Sequence, residues 1–441
     1  MSPRNRPADT AAAKGRQHKG ERSGWPHYRS KHRAASDRQA SKAMRDLPLP
    51  VMLDDPRVPQ NSPELVTDQS ALDALVDALR AAGGFAYDTE FIGEQYYYPQ
   101  YCVIQVATPE RVTLIDGMAD VDLGGFWSLL AEPEVLKLVH AGDQDLAPAV
   151  GLVGARPANI YDTQIVAGFA GLEYPLGLTR LTGELCDADL GGDFKFSAWD
   201  RRPLTETQLV YAANDVRYLW LLKDELDRRL KQTGYADWAH EENRLRCDPD
   251  RFISDPLGVR IKAKKQGSLK RRQLRVLHPL MLWRDGMARD NDVPVRAIID
   301  DATMLLLIDD PPTTAEAVRR AKGLARPLKE NHADELAALF TDALAGPLPP
   351  KRRPLKPLSG PAQSGLESAW AGFLDACEAA SLSPALVANK KEITALVRAH
   401  FMREPFPDDS RLLHGWRRAF LDPVLGDLLN PDTEPTTAPR E

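Results

Sequence analysis

Five residues in three short motifs carry types and spacing suited to holding divalent metal ions. They are Asp88 and Glu90 in Y-D-T-E-F (87–91), Asp145 in H-A-G-D-Q-D-L (140–146), and Tyr211 with Asp215 in Y-A-A-N-D (211–215). Carboxylates brought together repel one another and resist losing their water. A divalent cation removes both costs, and hard oxygen donors suit Mg²⁺ or Mn²⁺. No single motif is specific. Together they describe a site for two divalent metal ions, in an enzyme that trims nucleic acid from an end. No Ser/His/Asp or Cys/His signature accompanies them, and metal-assisted hydrolysis needs no covalent intermediate.

The elements that must position these groups can be read from the same segments. Gly83-Gly84 ends a helical run over roughly 68–82, and 85–91 follows as a strand of aromatic and β-favouring residues. Side chains two apart on a strand share a face, so Asp88 and Glu90 point the same way. A lone D-x-E would read as a solvated strand edge. Val135–Val139 forms a second short apolar strand, which His140-Ala141-Gly142 breaks before a new helix. Asp143 is placed to cap that helix. Asp145 would then lie in its first turn, either complementing the helix dipole or facing the strand that carries Asp88. Thr205 and Gln208 have the spacing of a capping box. The helix they open carries Tyr211 and Asp215 four residues apart, on one face.

The three motifs resemble the DEDD exonuclease superfamily, its tyrosine-containing branch, and within it the ribonuclease D family. The likeness spans about 130 residues in the family's order. It runs through D-T-E-F with Y-Y-P (88–99), C-V-I-Q-V-A (102–107), H-A-G-x-x-D-L (140–146), Y-D-T-Q (161–164) and W-D-x-R-P-L-T with Y-A-A-N-D-V (199–216). The resemblance implies a ribonuclease-H-like α/β domain, with a mixed five-stranded sheet flanked by helices on both sides. Strands near 85–91, 101–107, 111–116 and 135–140 agree with it, the first three suiting an antiparallel meander. It also implies that Asp88 bridges two ions, that Glu90 and Asp215 complete the nucleophile side, and that Asp145 holds the leaving-group side. Tyr211 would position the attacking water.

Further candidates for substrate contact lie around this set. Gln105 is an amide in an apolar strand, able to reach a terminal nucleotide or only a backbone group. His140 stands at a strand end, where packing is the commoner role. Tyr96, Tyr97 and Tyr98 offer a base-stacking surface, with Tyr98 as the chosen contact, or else a loop covering the core. Lys195, Arg201 and Arg202 precede the third motif and can meet phosphates. Lys264, Lys265, Arg271 and Arg272 form a basic stretch further on.

That stretch opens a helical region that resembles the HRDC module, a small all-α bundle, through Trp283-Arg284, Ala288-Arg289 and Val293-Pro294. The expected organisation is a basic, disordered tail (1–50), a nuclease domain (60–235), an HRDC domain (268–345) and a Pro/basic linker (346–361). A second, divergent HRDC-like domain (362–431) follows, with G-W-R-R (415–418) as its most distinctive part. The chain of 441 residues has ample apolar content for such cores, 43% of the total. Its first 45 residues carry 12 Lys and Arg against 3 Asp and Glu. They read as a nucleic-acid-binding arm, an organellar presequence, or residues ahead of a true start at Met44 or Met52. Four scattered cysteines without C-x-x-C point away from zinc and disulfides, towards a reducing compartment.

No apolar run approaches membrane-spanning length, and a cytoplasmic location is expected. The family likeness makes RNA, in particular precursor tRNA 3′ ends, the expected partner. The motifs alone leave open a 3′-5′ DNA exonuclease of Werner type. An inactive RNA-binding scaffold is the reading from another class.

Overall fold

The computed structural model describes residues 50–191, 198–252, 255–258, 269–351, 355–404 and 410–429. The basic N-terminal segment (1–49), Lys195, Lys264, Lys265 and residues 352–354 of the linker lie outside the described residues.

A six-stranded mixed sheet organises the first half of the chain. Its strands are β1(Glu64–Val66), β2(Gly84–Ile92), β3(Gln100–Ala107), β4(Val112–Asp116), β5(Leu136–Val139) and β6(Ile160–Asp162), in spatial order β1-β4-β3-β2-β5-β6. β2, β3 and β4 form the antiparallel meander, and β5 and β6 extend it as parallel strands. Those five are the expected set. β1 is an addition, pairing in parallel with the outer edge of β4. At three residues it is too short to show a period.

The sheet alternates cleanly. Phe85, Tyr87, Ile104 and Val106 pack on one face with α1(Gln69–Ala81) and α2(Gly124–Leu129). Ala86, Asp88, Glu90, Gln105 and Ala107 take the other, since Asp88 pairs directly with Gln105 and Ala86 with Ala107. That second face is covered by α3(Thr163–Phe169), α4(Leu178–Cys186), α5(Glu206–Arg217) and α6(Leu219–Thr233), with α7(Ala236–Arg246) following. α5 begins with the anticipated capping box, in which Thr205 and Gln208 each satisfy the other's backbone N–H.

Two helical units follow. The first runs from α8(Arg271–Asn291) through α9(Val295–Ile298), α10(Asp301–Asp309), α11(Ala315–Arg320) and α12(Arg326–Asn331) to α13(Ala333–Ala345). Leu280, Met304, Leu328 and Phe340 centre its core. The second contains α14(Pro361–Ala379), α15(Pro384–Val387), α16(Lys390–Met402) and α17(Gly415–Leu429). Its Phe373, Ile393 and Trp416 belong to the same apolar cluster as Phe169 and Leu226 of the nuclease region. Among the described residues, no helix is long and apolar enough to cross a membrane.

Candidate active site

The site forms where β5 stops. β5 pairs with β2 only along Gly84–Ala86, so β2 from Tyr87 onward has an edge that β5 does not cover. The segment after β5 comes to that edge. The Tyr87 hydroxyl donates to the Asp145 carbonyl at 2.7 Å, and the Thr89 hydroxyl donates to Asp145 Oδ1. Asp145 is thereby fixed beside the strand that carries Asp88 and Glu90.

The turn that delivers Asp145 is shaped by Asp162. Its carboxylate accepts from the Ala141 N–H at 3.0 Å and the Gly142 N–H at 3.2 Å, and it also caps α3 through the Gln164 N–H. Ala141 is left-handed, with φ 56°. Gly142 is required because a Cβ there would lie 2.7 Å from the Val139 side chain. Two expectations change here. Residues 142–146 form successive turns that run into a π-helical turn (Ala149–Val153), so no regular helix starts at 143. Asp143 caps nothing and instead pairs with Arg246 at 2.8 Å and Arg251 at 3.3 Å. A short polar segment between strand and turn carried no period by which to see this.

α5 lies across β2, β3 and β4, bringing Tyr211 and Asp215 over the Asp88 face. Trp199 packs against Tyr211 with ring centroids 6.1 Å apart. The motif before α5 is held by Arg202, which pairs with Asp116 and donates to the Cys102 and Trp199 carbonyls. Arg202 thus braces this loop against the sheet.

The electrostatics record how closely the acids stand. Burial pushes the Asp88 carboxyl well above the usual carboxylate range, and Asp145, Asp215 and Glu90 each push it further. Burial also raises Asp145, to about 6, against the Thr89 hydroxyl that favours its ionised form. Among the described residues, no three His, Cys, Asp or Glu side chains converge closely enough to hold a metal ion as they stand. The donor chemistry nonetheless fits a divalent metal. Asp88 feels three further carboxylates, all hard oxygen donors, and such a concentration of negative charge is relieved by a cation.

The remaining candidates divide. Gln105 is fully buried opposite Asp88, and neither of its side-chain polar atoms has a hydrogen-bond partner. His140 Nδ1 lies 2.9 Å from the Thr163 hydroxyl, and burial holds its pKa below the usual value. The three tyrosines part company: Tyr96 packs with Trp199, Tyr97 turns to the first helical unit, and Tyr98 is exposed. The Tyr97 hydroxyl donates to Asp285 at 3.0 Å, and the N–H groups of Tyr97 and Tyr98 both donate to Asp292. The β2–β3 loop is therefore tied to α8. Arg271 donates to the Pro349 carbonyl at 2.6 Å, and Arg272 is exposed at the start of α8. Thr89 and Asp162 were missed by sequence reasoning. Both stand inside the motifs D-T-E-F and Y-D-T-Q, which was the available signal.

Comparison with known proteins agrees with this arrangement. A family described as 3′-5′ exonuclease matches residues 63–231, and the HRDC domain family matches 273–339. Ribonuclease D of Gluconacetobacter diazotrophicus is 34% identical over 372 residues, covering 83% of this chain and 91% of that one. Ribonuclease D of Granulibacter bethesdensis is 32% identical, with 81% and 90% covered. The crystal structure of Escherichia coli RNase D, described as an exoribonuclease involved in structured RNA processing, superposes with a TM-score of 0.68. It is 27% identical, with 84% of this chain and 99% of that one covered.

Proposed function

The chain belongs to the ribonuclease D family and is a 3′-5′ exoribonuclease, and from that premise we propose that it trims precursor tRNAs from their 3′ ends. Nucleic-acid binding and dependence on divalent metal come with the family. The finer reading is that two Mg²⁺ or Mn²⁺ ions are held by Asp88, Glu90, Asp145 and Asp215. The observation that carries it is the field at Asp88, to which the three other carboxylates all contribute. When bound, such ions neutralise the scissile phosphate and lower the pKa of the attacking water.

The protein's own groups supply alignment. Tyr211, on the same face of α5 as Asp215, presents its phenolic oxygen to the attacking water and holds it in line with the phosphorus. The new P–O bond forms as the bond to the 3′-oxygen of the preceding nucleotide breaks. That oxygen leaves with a proton as a free 3′-hydroxyl, and a nucleoside 5′-monophosphate is released. Thr89 fixes Asp145 throughout, and Asp162 fixes the turn that holds it.

We read residues 60–235 as the nuclease domain, 268–345 as the HRDC domain and 362–431 as a second, divergent HRDC-like domain. The separate core around Leu280 and Phe340 supports the second of these. Cytoplasmic location is part of the same reading.

A precursor tRNA with a 3′ extension, incubated with Mg²⁺ or Mn²⁺, tests the substrate. We expect stepwise shortening towards the mature end, and slower cleavage once the terminal residues are 2′-deoxy. Equal rates on the deoxy strand would move the assignment to a DNA exonuclease. Tight binding without hydrolysis would leave an RNA-binding scaffold.

A further inference from the structure

We propose that Gln105 is a positioning residue for the metal site, its side-chain amide turning to donate to the Asp88 carboxylate when a cation is bound there and so fixing that carboxylate's orientation. The inference rests on the reading of Asp88 as a metal ligand. Gln105 is 0% exposed, yet neither Nε2 nor Oε1 has a hydrogen-bond partner. Buried amides are nearly always satisfied, so one left without partners in a strand interior calls for a reason. An apolar residue of the same size would fill the position without that cost.

The register supplies the reason. Gln105 is paired directly with Asp88 across β2 and β3, and with Leu114 on its other side. Directly opposed residues on one sheet face have Cβ atoms about 4.5–5.5 Å apart, well within the reach of a glutamine side chain. Leu114 offers no polar group. Asp88 is therefore the acceptor that the pairing sets opposite the amide. A glutamine provides two N–H donors without adding charge to a face that already holds Asp88 and Glu90. Lysine in its place would compete with a cation for the same carboxylate.

Gln105→Met keeps the volume and removes the amide. Its effect is read as Mn²⁺ affinity by calorimetry in the absence of RNA, as kcat and KM on a single-stranded RNA, and as the melting midpoint without metal. Groups that orient a metal's ligands typically matter by about 10–100-fold in affinity or activity. Gln105→Met should weaken Mn²⁺ binding and lower kcat on that scale, with KM for RNA unchanged. Its metal-free melting midpoint should be equal to the parent's or higher. Asp88→Asn runs alongside and should lose the Mn²⁺ binding outright. Parent-like Mn²⁺ affinity in Gln105→Met, with binding lost in Asp88→Asn, would overturn the role of Gln105 and leave the site intact. A lower metal-free midpoint with unchanged Mn²⁺ affinity would make Gln105 a packing residue and overturn the proposal. Parent-like binding in Asp88→Asn would overturn the site itself, and this inference with it.

Discussion

At the scale of the residue, three motifs suffice to gather four carboxylates into one field, because each motif sits at a fixed place in an element. Asp88 and Glu90 share a strand face, Asp145 meets the strand's open edge, and Asp215 arrives on a helix laid across it. Tyr211 is four residues from Asp215, on the same side of α5. If it orients the attacking water, Tyr211→Phe should lower kcat by about 10²-fold, the lower end for a group acting on a proton in the transition state. KM and Mn²⁺ affinity should stay at parent values, because the phenol holds neither metal nor RNA. Single-turnover kinetics beside metal titration would check this, and a raised KM with unchanged kcat would reassign Tyr211 to substrate binding. Thr89 and Asp162 escaped sequence reasoning for a physical reason. What they do is set by partners 56 and 21 residues away, and types and local spacing do not carry that.

At the scale of the element, the long, strongly patterned pieces were legible. The helix read over 68–82 is α1, with Asp68 as its cap, and the strand read over 85–91 is β2. β1 and β6 are three residues each, too short for a period, and the turns of 142–146 owe their shape to Asp162. β5 holds a residue its apolar pattern would not predict. Lys137 is fully buried mid-strand, its Nζ donating to the Glu132 carbonyl at 2.7 Å. Burial lowers its pKa from the ordinary 10.5 to about 8. Between those two values the unfolded chain binds the proton more tightly than the folded one, so stability rises with pH across that window. Below about pH 8 the folded state carries a buried charge. Lys137→Met should therefore melt higher than the parent at pH 7 and lose that part of the rise between about pH 8 and 10.5. Melting curves across the range would check it, and a lower midpoint at pH 7 would mean the Glu132 contact outweighs the cost of burial.

At the scale of the whole molecule, the two helical units are joined to the nuclease region by different chemistry. The first is tied through the β2–β3 loop, by Tyr97 and Tyr98 on Asp285 and Asp292. The second shares a core with it and is pinned by G-W-R-R, where Trp416 Nε1 donates to Glu242 at 3.0 Å and Arg417 forms a buried ion pair with the same carboxylate. Burial raises the Glu242 pKa, but Arg417 and Trp416 outweigh it, so the folded value lies below the ordinary 4.5. A depressed carboxylate stabilises the fold above its unfolded pKa, and that contribution is lost as pH falls through the folded value. Glu242→Gln should cost about 3–5 kcal/mol, since it strands the Arg417 charge. Loosened docking should appear as faster proteolysis of residues 355–429, and parent-like resistance would show that the apolar contacts alone hold this unit. All of these connections serve one claim, that the full chain removes nucleotides singly from an RNA 3′ end through the site around Asp88. The most direct test incubates the intact protein and its Asp88→Asn variant with 5′-labelled RNA bearing a single-stranded 3′ tail, with Mg²⁺ or Mn²⁺ or with EDTA. The account predicts a ladder descending one nucleotide at a time, absent with the variant and with EDTA; a ladder that persists in Asp88→Asn would contradict it.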